Sequence, residues 1–258
     1  MQRDDYVKKS TEKRRKRKRR RLKTFFVFFV FLCLCIGIVL SLTVFFPIEN
    51  IYCEGSNIYQ PDQIIKMTGI EKGDNLFVVS RSEAEKRLKA KLPYIETVNF
   101  KRELPGTLKI TAKDAEEFAS YKVGDKYYTV SSKGWVMEES TEPKEKIFTV
   151  RAKGVKCKVG SEIKFADLSQ KGMVDSITDA LKAENITPNE IDVTDNLALT
   201  VKVEGRFEVN LGNANNITEK IRHLSGMIKN MPKGKGGKIN LSMWTSNNPK
   251  GTFVEKKE

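Results

Sequence analysis

An uncharged stretch of 22 residues, at positions 25–46, constrains this chain more than any other part of its sequence. At about 1.5 Å rise per residue, a helix of that length reaches ~33 Å, enough to cross a hydrocarbon core of about 30 Å. Ten of the eleven residues at positions 13–23, just before it, are Lys or Arg. Because basic residues beside a span stay on the cytoplasmic side, the sequence predicts a basic cytoplasmic tail at 1–24, a transmembrane helix at 25–46 and an external region beyond it.

A cleaved signal peptide is the alternative, since it also combines a basic region with an apolar core. Signal-peptide cores usually run about 7–15 residues and end at small side chains. This stretch is longer and ends in Val44, Phe45, Phe46 and Pro47. The pattern therefore favours an uncleaved type II anchor in the plasma membrane, with the N-terminus inside and the bulk of the chain extracellular.

The net charge of +14 is concentrated in the predicted tail. Residues 1–23 hold 13 basic and 3 acidic residues, which leaves 34 basic and 30 acidic residues in the rest of the chain. A nucleic-acid-binding domain is expected to cluster basic and aromatic side chains on a folded face, and the sequence has no such cluster. We therefore expect the tail to set topology and attract membrane lipids, with no nucleic acid as partner. DNA contact or protein docking by the tail are the alternatives.

Motifs for catalysis and cofactor binding are absent from the sequence. His223 is the only histidine, which excludes histidine-rich metal sites and leaves few candidate bases for a nucleophile. No phosphate-binding, dinucleotide-binding or nucleophile-elbow motif occurs. Cys53 and Cys157 are the only cysteines beyond the predicted span, and we expect both to be free thiols. We therefore predict no enzymatic activity, no cofactor and no metal.

Residues 47–114 follow the order strand, helix, helix, strand, strand. Pro61 can open the first helix and Gly69 can end it, while Ser80 and Glu83 form a capping box at the start of the second. The turn around Pro105 joins two strands of alternating polarity into a hairpin. The predicted core of this unit comprises Ile64, Ile65, Leu88, Leu92, Val98, Phe100, Leu108 and Ile110.

This β-α-α-β-β order, directly after an anchor, resembles a POTRA (polypeptide-transport-associated) domain. Residues 92–96 (Leu-Pro-Tyr-Ile-Glu) and 102–110 (Arg-Glu-Leu-Pro-Gly-Thr-Leu-Lys-Ile) are similar to a run found in the FtsQ/DivIB cell-division family. Residues 46–56 resemble the first strand of that family. The chain departs from the family pattern at residues 114–119, where only an acidic residue and the final Ala119 remain.

Residues 115–244 are predicted to form a β-rich α+β domain. Hairpins are indicated around Ser132 and Gly205, with an amphipathic helix from Leu168 to Leu181 between them and a second one after an N-cap at Asn216. A last strand follows at 238–244, and the polar residues 245–258 are expected to be disordered. The predicted fold class is therefore a single-pass membrane protein with an α+β exterior, POTRA-like and then β-rich.

The resemblance implies a non-enzymatic component of the bacterial divisome, which bridges cell-division membrane proteins and helps organise septal wall synthesis. It implies small single-pass coiled-coil partners of the FtsB/DivIC and FtsL type, and enrichment at the division septum. The alternatives are a membrane-anchored cell-surface scaffold or a POTRA-bearing transport accessory outside the divisome. A cell-wall hydrolase is a further alternative, which the single histidine disfavours.

The resemblance also implies that the partner binds by strand addition near the end of the distal domain, and we predict the last strand as that edge. Ile239, Leu241 and Met243 are expected to face the core. The alternate side chains would face the partner, with Trp244 as an interface anchor, unless Trp244 is buried in the domain's own core. The predicted partner-binding residues are Lys238, Ile239, Asn240, Leu241, Ser242, Met243 and Trp244.

Overall fold

The computed structural model describes residues 23, 25–37, 45–232 and 234–255. Residues 25–37 are helical, and their large apolar side chains, such as Phe25 and Ile36, are exposed. Of the helices within the described ranges, none combines the length and the apolar character needed to cross a bilayer. The predicted tail, apart from Lys23, and residues 38–44 of the predicted span lie outside the described residues. The prediction that the helix reaches residue 46 is wrong: Phe45 and Phe46 are not helical, because the Phe46 carbonyl accepts a hydrogen bond from the Leu76 amide at 2.9 Å.

Two helices packed on a three-stranded sheet form the first unit. The elements are β1 (Asn50–Glu54), α1 (Pro61–Thr68), α2 (Arg81–Lys91), β2 (Ile95–Glu103) and β3 (Thr107–Asp114). Strand β3 is central, with β1 parallel on one side and β2 antiparallel on the other. The predicted β-α-α-β-β order is confirmed.

Local sequence signals set the boundaries of these helices. Pro61 occupies the first turn of α1, where its missing amide donor is not needed, and Gly69 ends the helix with a left-handed φ of 69°. Ser80 caps α2 by accepting a hydrogen bond from the Glu83 amide at 3.4 Å. Six of the eight predicted core residues are buried, and Ile65 and Val98 are partly buried against them.

A nine-stranded sheet and two helices form the second unit. The elements in chain order are β4 (Glu117–Val123), β5 (Lys126–Ser131), β6 (Val136–Ser140), β7 (Phe148–Arg151), a small ribbon of β8 (Val155–Lys156) and β9 (Lys164–Phe165), α3 (Leu168–Ala183), β10 (Pro188–Asp192), β11 (Leu199–Val203), β12 (Phe207–Gly212), α4 (Ile217–Lys229), β13 (Gly237–Asn240) and β14 (Thr252–Glu255). The order across the sheet is β14-β13-β12-β11-β10-β7-β4-β5-β6. The predicted hairpins are the antiparallel pairs β5–β6 and β11–β12.

Two details of the predicted helices in this unit are wrong. Leu168 is 75% exposed, because it is the first residue of α3 and lies beside the N-cap Asp167 rather than on the buried face. Helix α4 begins after Asn216 as predicted, but Asn216 adopts a left-handed conformation and its side chain makes no capping bond.

The predicted disorder of residues 245–258 is wrong for the residues up to 255. Strand β14 pairs antiparallel with β13, and the ring of Phe253 lies 6.5 Å from that of Phe207. The physical reason is that an open strand edge offers amide and carbonyl groups to any extended segment, whatever its polarity. One aromatic side chain is then enough to seat a short polar strand, so the distal sheet extends beyond residue 244.

A cluster of charged and phenolic groups joins the two units. The hydroxyl of Tyr94, just before β2, donates to a carboxylate oxygen of Glu138 at 2.5 Å. Lys144 Nζ lies 2.5 Å from Glu117 and 2.6 Å from Glu138, and it donates to the Tyr94 hydroxyl at 3.1 Å. Burial and then the Glu138 carboxylate raise the pKa of Tyr94, so this phenol stays protonated. Tyr94 is therefore held between charges supplied by the distal sheet.

Further contacts tie the same surfaces together. Lys133 in the β5–β6 turn lies 2.6 Å from Glu96 of β2, and this hydrogen bond lowers the pKa of Glu96. The amide of Ala115 donates to the carbonyl of Tyr94 at 2.7 Å. At Gly160 a Cβ would lie 2.5 Å from the carbonyl oxygen of Ala90 in α2, so only glycine permits this close approach.

We predict that Leu88→Ala lowers the stability of the first unit by about 2–5 kcal/mol, because the side chain is fully buried and its loss leaves a cavity. The measurement is thermal unfolding of the full chain in detergent. Leu104→Ala is the matched control, since this side chain is 64% exposed and exposed substitutions usually stay within about 0.5 kcal/mol. An unchanged melting temperature for Leu88→Ala would remove this residue from the core.

We predict that acid weakens the junction. Hydrogen bonds from Lys144 and then Tyr94 lower the pKa of Glu138, so its contribution to stability is present above its ordinary pKa and lost as the pH falls through the lowered value. Glu138→Gln should therefore show a smaller loss of melting temperature on acidification than the parent chain. Lys144→Met should be destabilising at neutral pH and much less so in acid. Equal acid sensitivity of the Glu138→Gln and parent chains would contradict the assignment.

Candidate partner-binding site

The predicted site begins with a strand that lies one place in from the sheet edge. Helix α4 connects β12 to β13, so these strands are parallel, with Val209 opposite Ile239. Strand β14 covers the other side of β13. The prediction that residues 238–244 form the last strand of the sheet is therefore wrong, and the outer side of β14 is the C-terminal edge.

The strand itself is shorter than predicted because the chain turns after Asn240. The Asn240 side-chain oxygen accepts a hydrogen bond from the Ser242 amide at 2.9 Å, and the Trp244 amide donates to the Leu241 carbonyl at 3.0 Å. Ile239 and Leu241 are buried as predicted. The alternation then breaks, since Met243 is 83% exposed and Trp244 only 7% exposed. The predicted faces of these last two residues are reversed.

Trp244 lies against helix α4. Its ring centroid is 6.4 Å from that of His223, and both rings line a groove of about 610 Å³ that Glu219, Met227 and Ser246 also border. The indole Nε1 is buried and has no hydrogen-bond partner among the described residues. Trp244 therefore belongs to the domain's own core, which is the alternative considered from the sequence.

A buried lysine in α4 stabilises the packing of this helix against the end of β12. Lys220 is 1% exposed, and its Nζ donates to the carbonyls of Leu211 at 2.6 Å and Asn213 at 3.0 Å. Burial lowers the pKa of this amine. The two bonds hold α4 on the end of β12, beside the start of the groove. Sequence reasoning missed Lys220, although it falls three residues after Ile217 and one before Ile221, on the apolar stripe of the helix.

Strand β14 is short, and three of its four residues are exposed. It makes four residue pairs with β13, and Val254 is 65% exposed. Lys235 Nζ lies 3.1 Å from a carboxylate oxygen of Glu255, and both side chains are exposed, so this pair adds little. At Gly237 a Cβ would lie 2.2 Å from the carbonyl oxygen of Val254, so glycine at this position allows β14 to approach.

An open groove follows the end of these strands. It has a volume of about 550 Å³, and its lining includes Phe207, Gly237, Lys238 and Val254. The guanidinium of Arg206 lies 4.6 Å from the centroid of the Phe207 ring. The region thus combines a short edge strand, an apolar floor and exposed charges, which suits an extended peptide better than a small molecule.

Comparison with known proteins gives a domain match and several relatives. Residues 46–113 match the sequence model of the POTRA domain, FtsQ-type. The cell division protein DivIB of Clostridium acetobutylicum is 26% identical over 199 residues, which span 75% of this chain and 78% of that protein. DivIB of Clostridium botulinum (strain Hall) is 28% identical over 218 residues, which span 80% and 84%. The cell division protein FtsQ of Corynebacterium glutamicum is 24% identical over 198 residues, which span 75% and 84%.

We predict that Trp244→Ala costs about 3–5 kcal/mol of stability, because it empties a buried site between β13 and α4. Met243→Ala is the neighbouring control and should stay within about 0.5 kcal/mol, since Met243 is exposed. Thermal unfolding of the full chain measures both. A stable Trp244→Ala chain would contradict the burial of this indole.

Proposed function

We propose that this chain, which belongs to the FtsQ/DivIB family of bacterial cell-division proteins, is a non-enzymatic, membrane-anchored component of the division machinery. Membership rests on the FtsQ-type POTRA match and on relatives named DivIB and FtsQ, and it confirms the predicted resemblance. The names of these relatives also support a role in cell division. In this proposal the chain bridges small single-pass coiled-coil proteins of the FtsB/DivIC and FtsL type at the septum and helps organise wall synthesis there.

The anchor in this proposal is the uncharged stretch at residues 25–46, with the basic tail inside and the remainder outside. Its support is the sequence pattern, together with the exposed apolar side chains of the helical residues 25–37. Such a helix has no apolar partner among the described residues, and a bilayer would supply one.

The partner contact in this proposal is strand addition at the C-terminal edge of the distal sheet. The observation that carries it is β14, a short segment of the chain itself that already pairs antiparallel with β13. Main-chain bonds of β13 would therefore provide the recognition, and the exposed side chains of Lys238 and Asn240 would select the partner, while Ile239 stays in the core. Because Trp244 is buried, it acts in this proposal as a support for the strand and not as a contact.

Deletion of residues 249–258 tests this proposal. Tagged full-length protein, purified from its own membranes in mild detergent, should carry two small single-pass coiled-coil proteins that mass spectrometry identifies. If β14 occupies the place of the partner strand, the deletion raises partner recovery several-fold, since the competing segment is gone. If the partner adds to the outer side of β14, the deletion abolishes recovery.

Met243→Ala is the control, since it alters an exposed residue between β13 and β14 and leaves both strands intact. Unchanged recovery after the deletion would move the partner site away from this edge, and the outer side of β2 would be the next candidate. Absence of both coiled-coil proteins from the parent sample would contradict the divisome role and favour a cell-surface scaffold or a transport accessory.

A further inference from the structure

Three chain segments meet at one end of the POTRA domain, where the uncharged stretch ends. The Leu76 amide donates to the carbonyl of Phe46 at 2.9 Å, and the Phe46 and Phe77 rings pack edge-to-face at 5.1 Å. The Glu49 amide donates to the carbonyl of Gly106 at 2.8 Å. The segments 45–49, 75–78 and 104–106 therefore form a single surface.

This surface exposes large apolar side chains from all three segments. Phe45 is 70% exposed, Val78 68% and Leu104 64%, and Phe77 between them is 38% exposed. Single exposed apolar residues are ordinary on a protein surface and need no explanation. Four that converge at one end of a small domain are unusual and indicate a contact with an apolar environment.

Two arginines, Arg81 and Arg102, lie at the same end of the domain. Arg102 Nε donates to the carbonyl of Leu76 at 2.6 Å, and its guanidinium lies 5.3 Å from the centroid of the Phe77 ring. Partial burial and the nearby charge of Arg81 lower the pKa of Arg102, although a guanidinium remains charged. Neither arginine forms an ion pair with an acidic side chain in the described part of the chain. Two acidic residues lie at the same end: Glu49 is exposed beside Gly106, and Glu103 pairs with Lys101 at 3.0 Å. With Arg81, Arg102 and Lys101 against these two carboxylates, this end of the domain keeps a net positive charge beside its apolar side chains.

The opposite end of the domain faces the distal unit. Strand β3 runs from Thr107 beside the apolar surface to Asp114, whose carboxylate accepts from the Ser56 hydroxyl at 2.6 Å. At roughly 3.3 Å per residue this strand separates the two ends by about 23 Å. Ile58 lies at the Asp114 end and is 51% exposed, so the domain also offers an exposed apolar residue far from the surface.

We propose that the surface formed by Phe45, Phe77, Val78, Leu104, Arg81 and Arg102 rests in the headgroup layer of the bilayer, with anionic phospholipid as its ligand. This contact rests on the proposed anchoring of residues 25–46. A lipid occupant is favoured over a protein because the surface is continuous with the end of the anchor, which holds it at the bilayer. Aromatic and aliphatic side chains enter the interface, while the net charge of anionic lipids attracts guanidinium groups, which is the combination found here.

Fluorescence quenching in vesicles tests the contact. The full chain is reconstituted into vesicles of phosphatidylcholine with phosphatidylglycerol, which contain a nitroxide-labelled lipid, and Val78→Trp reports the surface. Ile58→Trp is the matched control on the same domain, and the parent chain gives the baseline of Trp135 and Trp244. We expect the added emission of Val78→Trp to be quenched several-fold more than that of Ile58→Trp.

Two further variants show whether the quenching comes from the native surface or from the introduced tryptophan itself. Leu104→Glu in the Val78→Trp chain should abolish most of the quenching, because the carboxylate opposes insertion beside an anionic lipid. Arg81→Gln should reduce the quenching in vesicles with phosphatidylglycerol and leave it unchanged in pure phosphatidylcholine. Quenching that ignores Leu104→Glu would belong to the introduced tryptophan and would overturn the proposal.

Flotation of the same samples tests the anchoring of residues 25–46 separately from the lipid contact. A chain that floats with the vesicles but leaves Val78→Trp unquenched retains its anchor and has no lipid contact at this surface. A chain that does not float contradicts the anchoring and the lipid contact together. Protection of position 78 from labelling in native membranes, without quenching in vesicles, would assign the surface to a protein and would also overturn the proposal.

Discussion

The parallel pairing of β7 with β10 holds the distal sheet together. It joins strands from residues 117–151 to strands from residues 188–255 through three residue pairs, with Val150 opposite Ile191 at the centre. Both side chains are fully buried, and α3 forms the crossover that makes the parallel pairing possible. The POTRA domain contacts the first group of strands through Glu117 and Glu138, and it contacts the loop between β8 and β9 at Gly160. Without this pairing the C-terminal edge would have no fixed position relative to the POTRA domain.

Sequence patterns specified the elements whose signals are local. The helix stop at Gly69 and the alternation of the β11–β12 hairpin depend on neighbouring residues, and both are present. The predicted capping box at Ser80 is half present, since the Ser80 hydroxyl accepts from the Glu83 amide. Strand β14 could not be predicted in this way, because its four residues carry no alternation and are seated by an edge formed elsewhere in the chain. The exposure of Met243 and the burial of Trp244 could not be predicted from alternation either. The hydrogen bond between the Asn240 side chain and the Ser242 amide ends the strand before these residues.

Strand β14 covers the strand edge that β13 would otherwise expose. Without β14, the outer side of β13 would present unpaired amide and carbonyl groups, which promote association with other chains. Strand β14 satisfies these groups through four residue pairs, and among its residues only Phe253 packs against the core. A strand of this kind protects the edge from non-specific pairing while leaving it open to a partner that offers more buried area. The proposed strand addition therefore depends on the small apolar area of β14.

The proposed lipid contact, the Tyr94 cluster and the proposed partner edge follow one another along the molecule, starting from the bilayer. The apolar end of the POTRA domain would fix one end of β3, and the Tyr94 cluster fixes the other end to the distal sheet. Each contact constrains orientation more than fold, because each unit has its own buried core. A change at the junction would therefore leave both units folded and still alter the height at which β13 and β14 stand above the membrane. For a partner that is itself anchored in the bilayer, this height sets the effective concentration of its strand at the edge, so orientation alone can govern binding.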